Sequence, residues 1–181
     1  MPEKSQSATA GINTAAEMTR SARIDLTKVP PDAYQAMAGL KKYVLQSGLE
    51  QPLLELVRMR ASQINGRAYC LDMHSKDAPG AGETEQRLYA LNAWRETPFY
   101  TDRERAALAW TEAVTLVSQS HGPDEVYELA RKLFSEKEIV DLTVEVAEIN
   151  TWNRIAISLR AVPGTYQATA RAKAAAVANN G

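Results

Sequence analysis

Between Pro31 and Pro163, apolar residues return every three or four positions, the period of a helix with one face turned inward. In "PPDAYQAMAGLKKYVLQSG" those positions are Ala33, Met37, Leu40, Val44 and Leu45, and Gly48 supplies a stop. "PLLELVRMRASQIN" opens with Pro52, whose fixed φ suits a first helical turn. It stripes Leu53, Leu56, Val57, Met59 and Ile64 before Asn65 and Gly66 end it. A new helix is predicted to begin near Arg67 and to end in the loop "SKDAPGAGE", and "TEQRLYALNAWRE" follows as a short helix.

Two capping-box spacings, Thr101-x-x-Glu104 and Ser135-x-x-Glu138, mark later starts. The first opens one helix through "TDRERAALAWTEAVTLVSQ", striped by Ala106, Ala107, Trp110, Val114 and Val117. "HGPDEVYELARKLF" starts at Pro123, and the second box opens "KEIVDLTVEVAEINTWNRIAISLRAV". Within it "LTVEVAEI" has the β-branched residues and partial alternation of a strand. Ile139, Leu142, Val146, Ile149, Asn153 and Ala156 keep a helical spacing too far for one strand, so the segment reads as helix. The pattern amounts to seven helices and an all-α fold. Residues 1–30 are small, polar and aperiodic and read as a loosely held arm; residues 31–163 form one helical domain; residues 164–181 are an Ala-rich tail with little to bury.

A chain of 181 residues buries a core without disulfide or metal staples. With 45% hydrophobic and 24% charged residues and a formal net charge of -1, neither disorder nor a strong field for nucleic acid is implied. No apolar run approaches the ~20 residues of a membrane helix, and the first residues contain no signal-peptide core, so no membrane partner and a cytoplasmic location are expected. The single cysteine, Cys70, excludes an internal disulfide and fits a reducing compartment.

Cys70 and His74 lie four residues apart, on one face of a helix. An imidazole there can accept the thiol proton or, when protonated, stabilise the thiolate that attacks peroxides and disulfides. The helix start after Asn65-Gly66 also favours a thiolate, and Arg67 can add a cation or point into solvent. These features predict a Cys70 pKa below that of a free cysteine. Glu55 is ~22 Å from Cys70 along a straight helix, so only a turn at Asn65-Gly66 lets it approach His74 and orient the ring. The same residues also fit structural roles: a buried thiol, a chance Cys/His pair, and Glu55 in an ion pair with Arg58 or Arg60. One Cys and one His make half a zinc set, so no metal or cofactor is expected. Tyr69, Trp94, Trp110 and Trp152 read as core or interface aromatics, and His121 as a loop residue.

The spacing Glu55-x11-Arg67-x2-Cys70-x3-His74 in "ELVRMRASQINGRAYCLDMHSKDA" resembles the alkylhydroperoxidase D (AhpD)-like branch of the carboxymuconolactone decarboxylase superfamily, whose pattern is Glu-x11-Cys-x2-Cys-x3-His. "YALNAWRETPFYTDRERAALAWTEAVT" and "INTWNRIAI" resemble its downstream segments, so the likeness runs from about Tyr34 to Pro163. It implies an all-α subunit in trimers or hexamers, and a thiol peroxidase that reduces hydroperoxides and is itself reduced by a partner through a cysteine pair. By position, Cys70 corresponds to the peroxide-attacking cysteine, and His74 and Glu55 to the proton relay. Arg67 stands where the resolving cysteine belongs, so a sulfenate on Cys70 needs an external thiol or dithiol reductant or proceeds to over-oxidation.

Three functions are thereby expected to compete: a one-cysteine or impaired AhpD-like peroxidase, a lactone decarboxylase, and a non-catalytic oligomeric scaffold or binding module. The nearly all-round apolar segment from Glu136 to Val162 points, with the resemblance, to a homo-oligomer. Sedimentation at micromolar concentration should show an assembly, and a monomer there contradicts this expectation.

Overall fold

A computed structural model describes residues 21–24, 31–77, 82–164 and 166–167. These contain eight α-helices: α1 Pro31–Leu45, α2 Gln51–Ile64, α3 Ala68–Asp77, α4 Glu85–Ala90, α5 Asp102–Thr115, α6 Val117–Ser120, α7 Asp124–Ala130 and α8 Glu136–Ser158. A 3-10 segment, Leu91–Glu96, continues α4. No strand occurs among the described residues, and "LTVEVAEI" is helical. No described helix is long and apolar enough to cross a membrane.

Helix α2 occupies the middle and packs against α3, α5 and α8. Its residues from Leu53 to Met59 are buried without interruption, so the helix is enclosed on all sides rather than along one stripe. Leu54 and Val57 meet Val44, Ala106, Ala107, Leu142 and Val146 in one apolar cluster, while Leu56 and Met59 meet Leu88, Leu91, Trp94 and Leu108 in a second. Enclosure also traps Glu55 and Arg58, which must be paired to be tolerated there.

All six apolar-face positions predicted for α8, from Ile139 to Ala156, are buried. Asp141, Glu145, Glu148 and Asn150 are buried on the same helix. The inward surface of α8 is therefore much more polar than the apolar spacing alone suggests. Helix α1 rests mainly on α8. Val44 is buried and Met37 partly so, whereas Ala33, Leu40 and Leu45 of the predicted stripe are exposed.

Two boundaries depart from the predicted seven helices. The helix expected through residue 119 breaks at Leu116, where φ is -100° and ψ 30°, because the Ser120 hydroxyl folds back to donate to the Ala113 carbonyl at 2.7 Å. Val117 consequently turns outward, 54% exposed, and leaves the core stripe assigned to it. The second departure is a kink at Ala93. It turns Trp94 into the core, where its indole N–H donates to Glu112 at 2.8 Å.

Most of the expected arm and tail lies outside the described residues, as do residues 78–81 of the predicted loop. Of the arm, Arg23 donates from its backbone and its side chain to the Leu159 and Ser158 carbonyls at the end of α8. Of the tail, the Tyr166 hydroxyl donates to Asp77 at 2.5 Å.

Both capping boxes form: Thr101 and Ser135 each accept from the backbone three residues on, and Glu104 and Glu138 reach back to the cap N–H. Removing one such cap typically costs about 1 kcal/mol. Ser135→Ala should therefore lower unfolding free energy by about 1 kcal/mol in urea titration, with an unchanged m-value, whereas no change would mean that the cap does not hold the start of α8.

Candidate functional site

Three helices meet around Cys70. Glu55, Arg58 and Ser62 are spaced three and four apart on α2, so they share a face. Gly66, at φ 66°, reverses the chain after α2, a left-handed turn that a glycine enters without the penalty of a Cβ. Helix α3 then returns alongside α2 with Cys70 and His74 as its buried residues. From α8 come Glu145, Glu148 and Trp152, again at helical spacing.

The turn brings Glu55 and His74 together: Glu55 Oε2 lies 2.9 Å from His74 Nδ1. Burial pushes the Glu55 carboxyl up, but the hydrogen bond and charge of His74 together with the Arg58 guanidinium overcome this and hold it at about 2. An ionised carboxylate only accepts, so His74 Nδ1 carries a proton and donates it to Glu55, leaving Nε2 as the ring nitrogen that Glu55 does not engage. His74 Nε2 is buried and has no partner. Behind this pair, Arg58 Nη1 donates to Glu55 at 2.7 Å and Arg58 Nε to Glu145 at 2.5 Å. Both an ion pair with Arg58 and an approach to His74 were open for Glu55, and it makes both at once.

Arg67 and Cys70 form the second pair. Arg67 Nη1 donates to Cys70 Sγ at 2.8 Å and to the Trp152 carbonyl at 3.1 Å, and its guanidinium lies 5.1 Å from the centre of the Tyr69 ring. Its head points inward. Cys70 and His74 share a face yet make no hydrogen bond with each other among the described contacts; the sulfur's neighbours are Arg67 and the Ser62 hydroxyl.

The expectation of a low Cys70 pKa is overturned. The thiol is 1% exposed and sits among Ala61, Ile149 and Met73. Burial pushes it above its ordinary value, and the charge of Arg67 and the hydrogen bond from Ser62 recover only part of that. Withdrawing the sulfur from water outweighs the cation at its side.

Cys70, His74, Arg58 and Arg67 line a cleft of about 1040 Å³. Tyr69 and Trp152, read from the sequence as core or interface aromatics, line it as well. Sequence reasoning missed Ser62, Glu145 and Glu148. Glu145 and Glu148 carried a signal, being carboxylates spaced three apart inside the long apolar-striped segment that follows Ser135. Ser62 carried none. Among the described residues no group of three His, Cys, Asp or Glu is placed to hold a metal ion.

With the thiol buried, its alkylation rate should rise with pH to an inflection above the ~8.5 of a free cysteine. Arg67→Gln should move that inflection higher still, because the one cation against the sulfur is lost. A wild-type inflection below the free value would contradict the balance of burial and charge described here.

Known proteins resemble this chain over most of its length. The family model for the carboxymuconolactone decarboxylase family matches residues 31–113. An uncharacterised Bacillus subtilis protein, YdfG, is 42% identical over 139 residues, which are 77% of this chain and 95% of the relative. The crystal structure of ATU0492 from Agrobacterium tumefaciens, a protein of unknown function proposed to be the antioxidant defence protein AhpD, superposes with a TM-score of 0.77 at 43% identity, covering 81% of this chain and all of that one. The debrominase Bmp8 shares the fold alone, at 24% identity and a TM-score of 0.66, over 80% of this chain and 75% of that one. The chain belongs to the carboxymuconolactone decarboxylase family, and its all-α fold is that of AhpD-like proteins.

Proposed function

We propose that the protein is an AhpD-like thiol peroxidase that reduces hydroperoxides through Cys70 in a one-cysteine cycle, with His74 and Glu55 as its proton relay. The observation that carries this reading is His74 held through Nδ1 by an ionised Glu55, its Nε2 unpartnered, on the wall of the cleft that Cys70 also lines. Because the thiol is protonated at rest, it needs a base, and Nε2 is the group available. With a hydroperoxide between them, Nε2 takes the thiol proton and the sulfur attacks the outer peroxide oxygen. An S–O bond forms, the O–O bond breaks, and the leaving alkoxide recovers the proton from Nε2. The sulfur is oxidised to a sulfenic acid and the peroxide reduced to an alcohol. Arg67, donating to the sulfur, stabilises the charge as the proton leaves. An external thiol then displaces water from the sulfenic acid, and a second thiol releases the enzyme.

A non-catalytic binding module is the second reading, favoured by the burial of the thiol and its raised pKa. No feature of the site favours lactone decarboxylation over either. A homo-oligomer belongs to the proposal in both cases, supported by the exposed Tyr34, Leu40, Tyr43 and Leu45 on α1 and Val140 and Ile157 on α8.

Arg67 makes the peroxidase reading testable. Wild type should consume about one equivalent of peroxide per subunit and stall until a small thiol is supplied, with Cys70 drifting to sulfinic acid in its absence. Arg67→Cys places a second sulfur three residues away, and should form an internal disulfide and turn over with a dithiol reductant. Wild type turning over equally well with a dithiol would mean that resolution never required position 67. No peroxide consumption by either protein would leave the binding module as the better reading.

A further inference from the structure

Arg67 is 5% exposed, yet no carboxylate pairs with it among the described residues. Three other arginines that reach inward have carboxylates: Arg58 has Glu55 and Glu145, Arg87 has Glu83 and Glu104, and Arg103 has Glu50 and Glu138, while Arg105 spends its donors on the Tyr100, Arg95 and Thr97 carbonyls. Arg67 has a sulfur and a main-chain carbonyl, both on Nη1. Its Nε and Nη2 make no described hydrogen bond, and neither is among the side-chain atoms sealed from solvent without a partner. A buried guanidinium without a counter-ion is costly to maintain, and this one lines the cleft with donors to spare.

The rest of the cleft defines what such a counter-ion would be attached to. Ile24, Met37, Met73, Trp152, Ile155 and Val162 supply an apolar wall, and about 1040 Å³ is far more room than a peroxide group needs. Of the other charged side chains lining it, Arg58 is spent on Glu55 and Glu145, and Lys41 is an exposed cation with no described ion pair. Glu148 is the one carboxylate among the described residues that line the cleft; it accepts from the Trp152 indole, and burial raises its pKa, so it is a weak competitor for Arg67.

We infer that the cleft binds an organic carboxylate, with the carboxylate on Arg67 and the hydrocarbon chain along the Met37, Met73, Trp152 and Ile155 wall, beside Cys70. A carboxylate matches the planar donor edge of a guanidinium, and charge-assisted pairing of this kind is among the stronger polar contacts. The inference deepens the proposed function: the hydroperoxides this site selects are those carrying an acid group, and the residue that removes the internal resolving thiol is the one that confers the selection.

Calorimetric titration of the intact protein with octanoate and with 1-octanol tests this without any turnover. Octanoate should bind saturably and at least about tenfold more tightly than the alcohol, as expected for a charge-assisted pair in a desolvated site. R67Q should bring the two affinities within about twofold of each other by weakening octanoate alone, and R67K should restore part of the difference. Equal affinities in wild type, no saturable binding of either, or discrimination that survives R67Q would overturn the inference. The wild-type comparison stands even where R67Q fails to fold. Octanoate selectivity without consumption of any hydroperoxide supports this inference and sinks the peroxidase reading. Consumption of the neutral cumene hydroperoxide without octanoate selectivity does the reverse.

Discussion

The Arg58 guanidinium, enclosed on α2 between Glu55 of its own helix and Glu145 of α8, is the interaction around which the site is arranged. Burial disfavours its charge, but the two carboxylates outweigh that and raise its pKa further. It cannot serve both acids equally. Glu55, with His74 as a second partner, stays ionised, while burial pushes Glu145 up despite Arg58, so Glu145 is the acid that more readily holds a proton. The fit is also incomplete, since Arg58 Nη2 and Glu145 Oε2 are buried without partners. Buried ion networks seldom add net stability over apolar packing, although removing one member costs about 3–5 kcal/mol. An arrangement that adds so little stability makes physical sense as a way of holding Glu55 ionised and the His74 ring in one orientation.

A second contest is settled at the sulfur, and in the other direction. A cation 2.8 Å from Cys70 and a nearby hydroxyl both favour a thiolate, yet enclosure among Ala61, Ile149 and Met73 wins. Carboxylate and thiol are both buried within the same three helices, but one ionises and the other does not. The difference lies in partners: Glu55 accepts from both the Arg58 guanidinium and the His74 ring, while Cys70 has one guanidinium shared with a main-chain carbonyl. In the proposed cycle, chemistry at such a thiol depends on deprotonation during the reaction rather than before it, which gives the unpartnered His74 Nε2 more weight than the position of Cys70 in a first helical turn.

The sequence by itself determined much of the scaffold, because the scaffold rests on short-range rules. Thr101 and Ser135 with their glutamates three residues on, Pro52 in a first turn and Gly66 at a reversal each act within one helical turn, and each is found where its spacing places it. The six inward positions of α8, five apolar residues and Asn153, are buried for the same reason: period alone puts them on one side. Where a longer-range contact competes, the reading fails. Ser120 bonding a carbonyl seven residues back ends α5 early, and Trp94 reaching into the core kinks the segment before it.

The site divides along the same line. Residue types and spacing named Glu55, Arg67, Cys70 and His74, since a motif is a one-dimensional object. Which of them touch was decided by the return of α3 along α2 and by α8 closing over both: that packing paired Glu55 with His74 and Arg67 with Cys70. It also brought in Ser62, Glu145 and Glu148 and raised the thiol pKa that local charge alone would lower. Spacing along a helix specifies which side chains share a face, but desolvation depends on what covers that face, and only the tertiary structure supplies the cover.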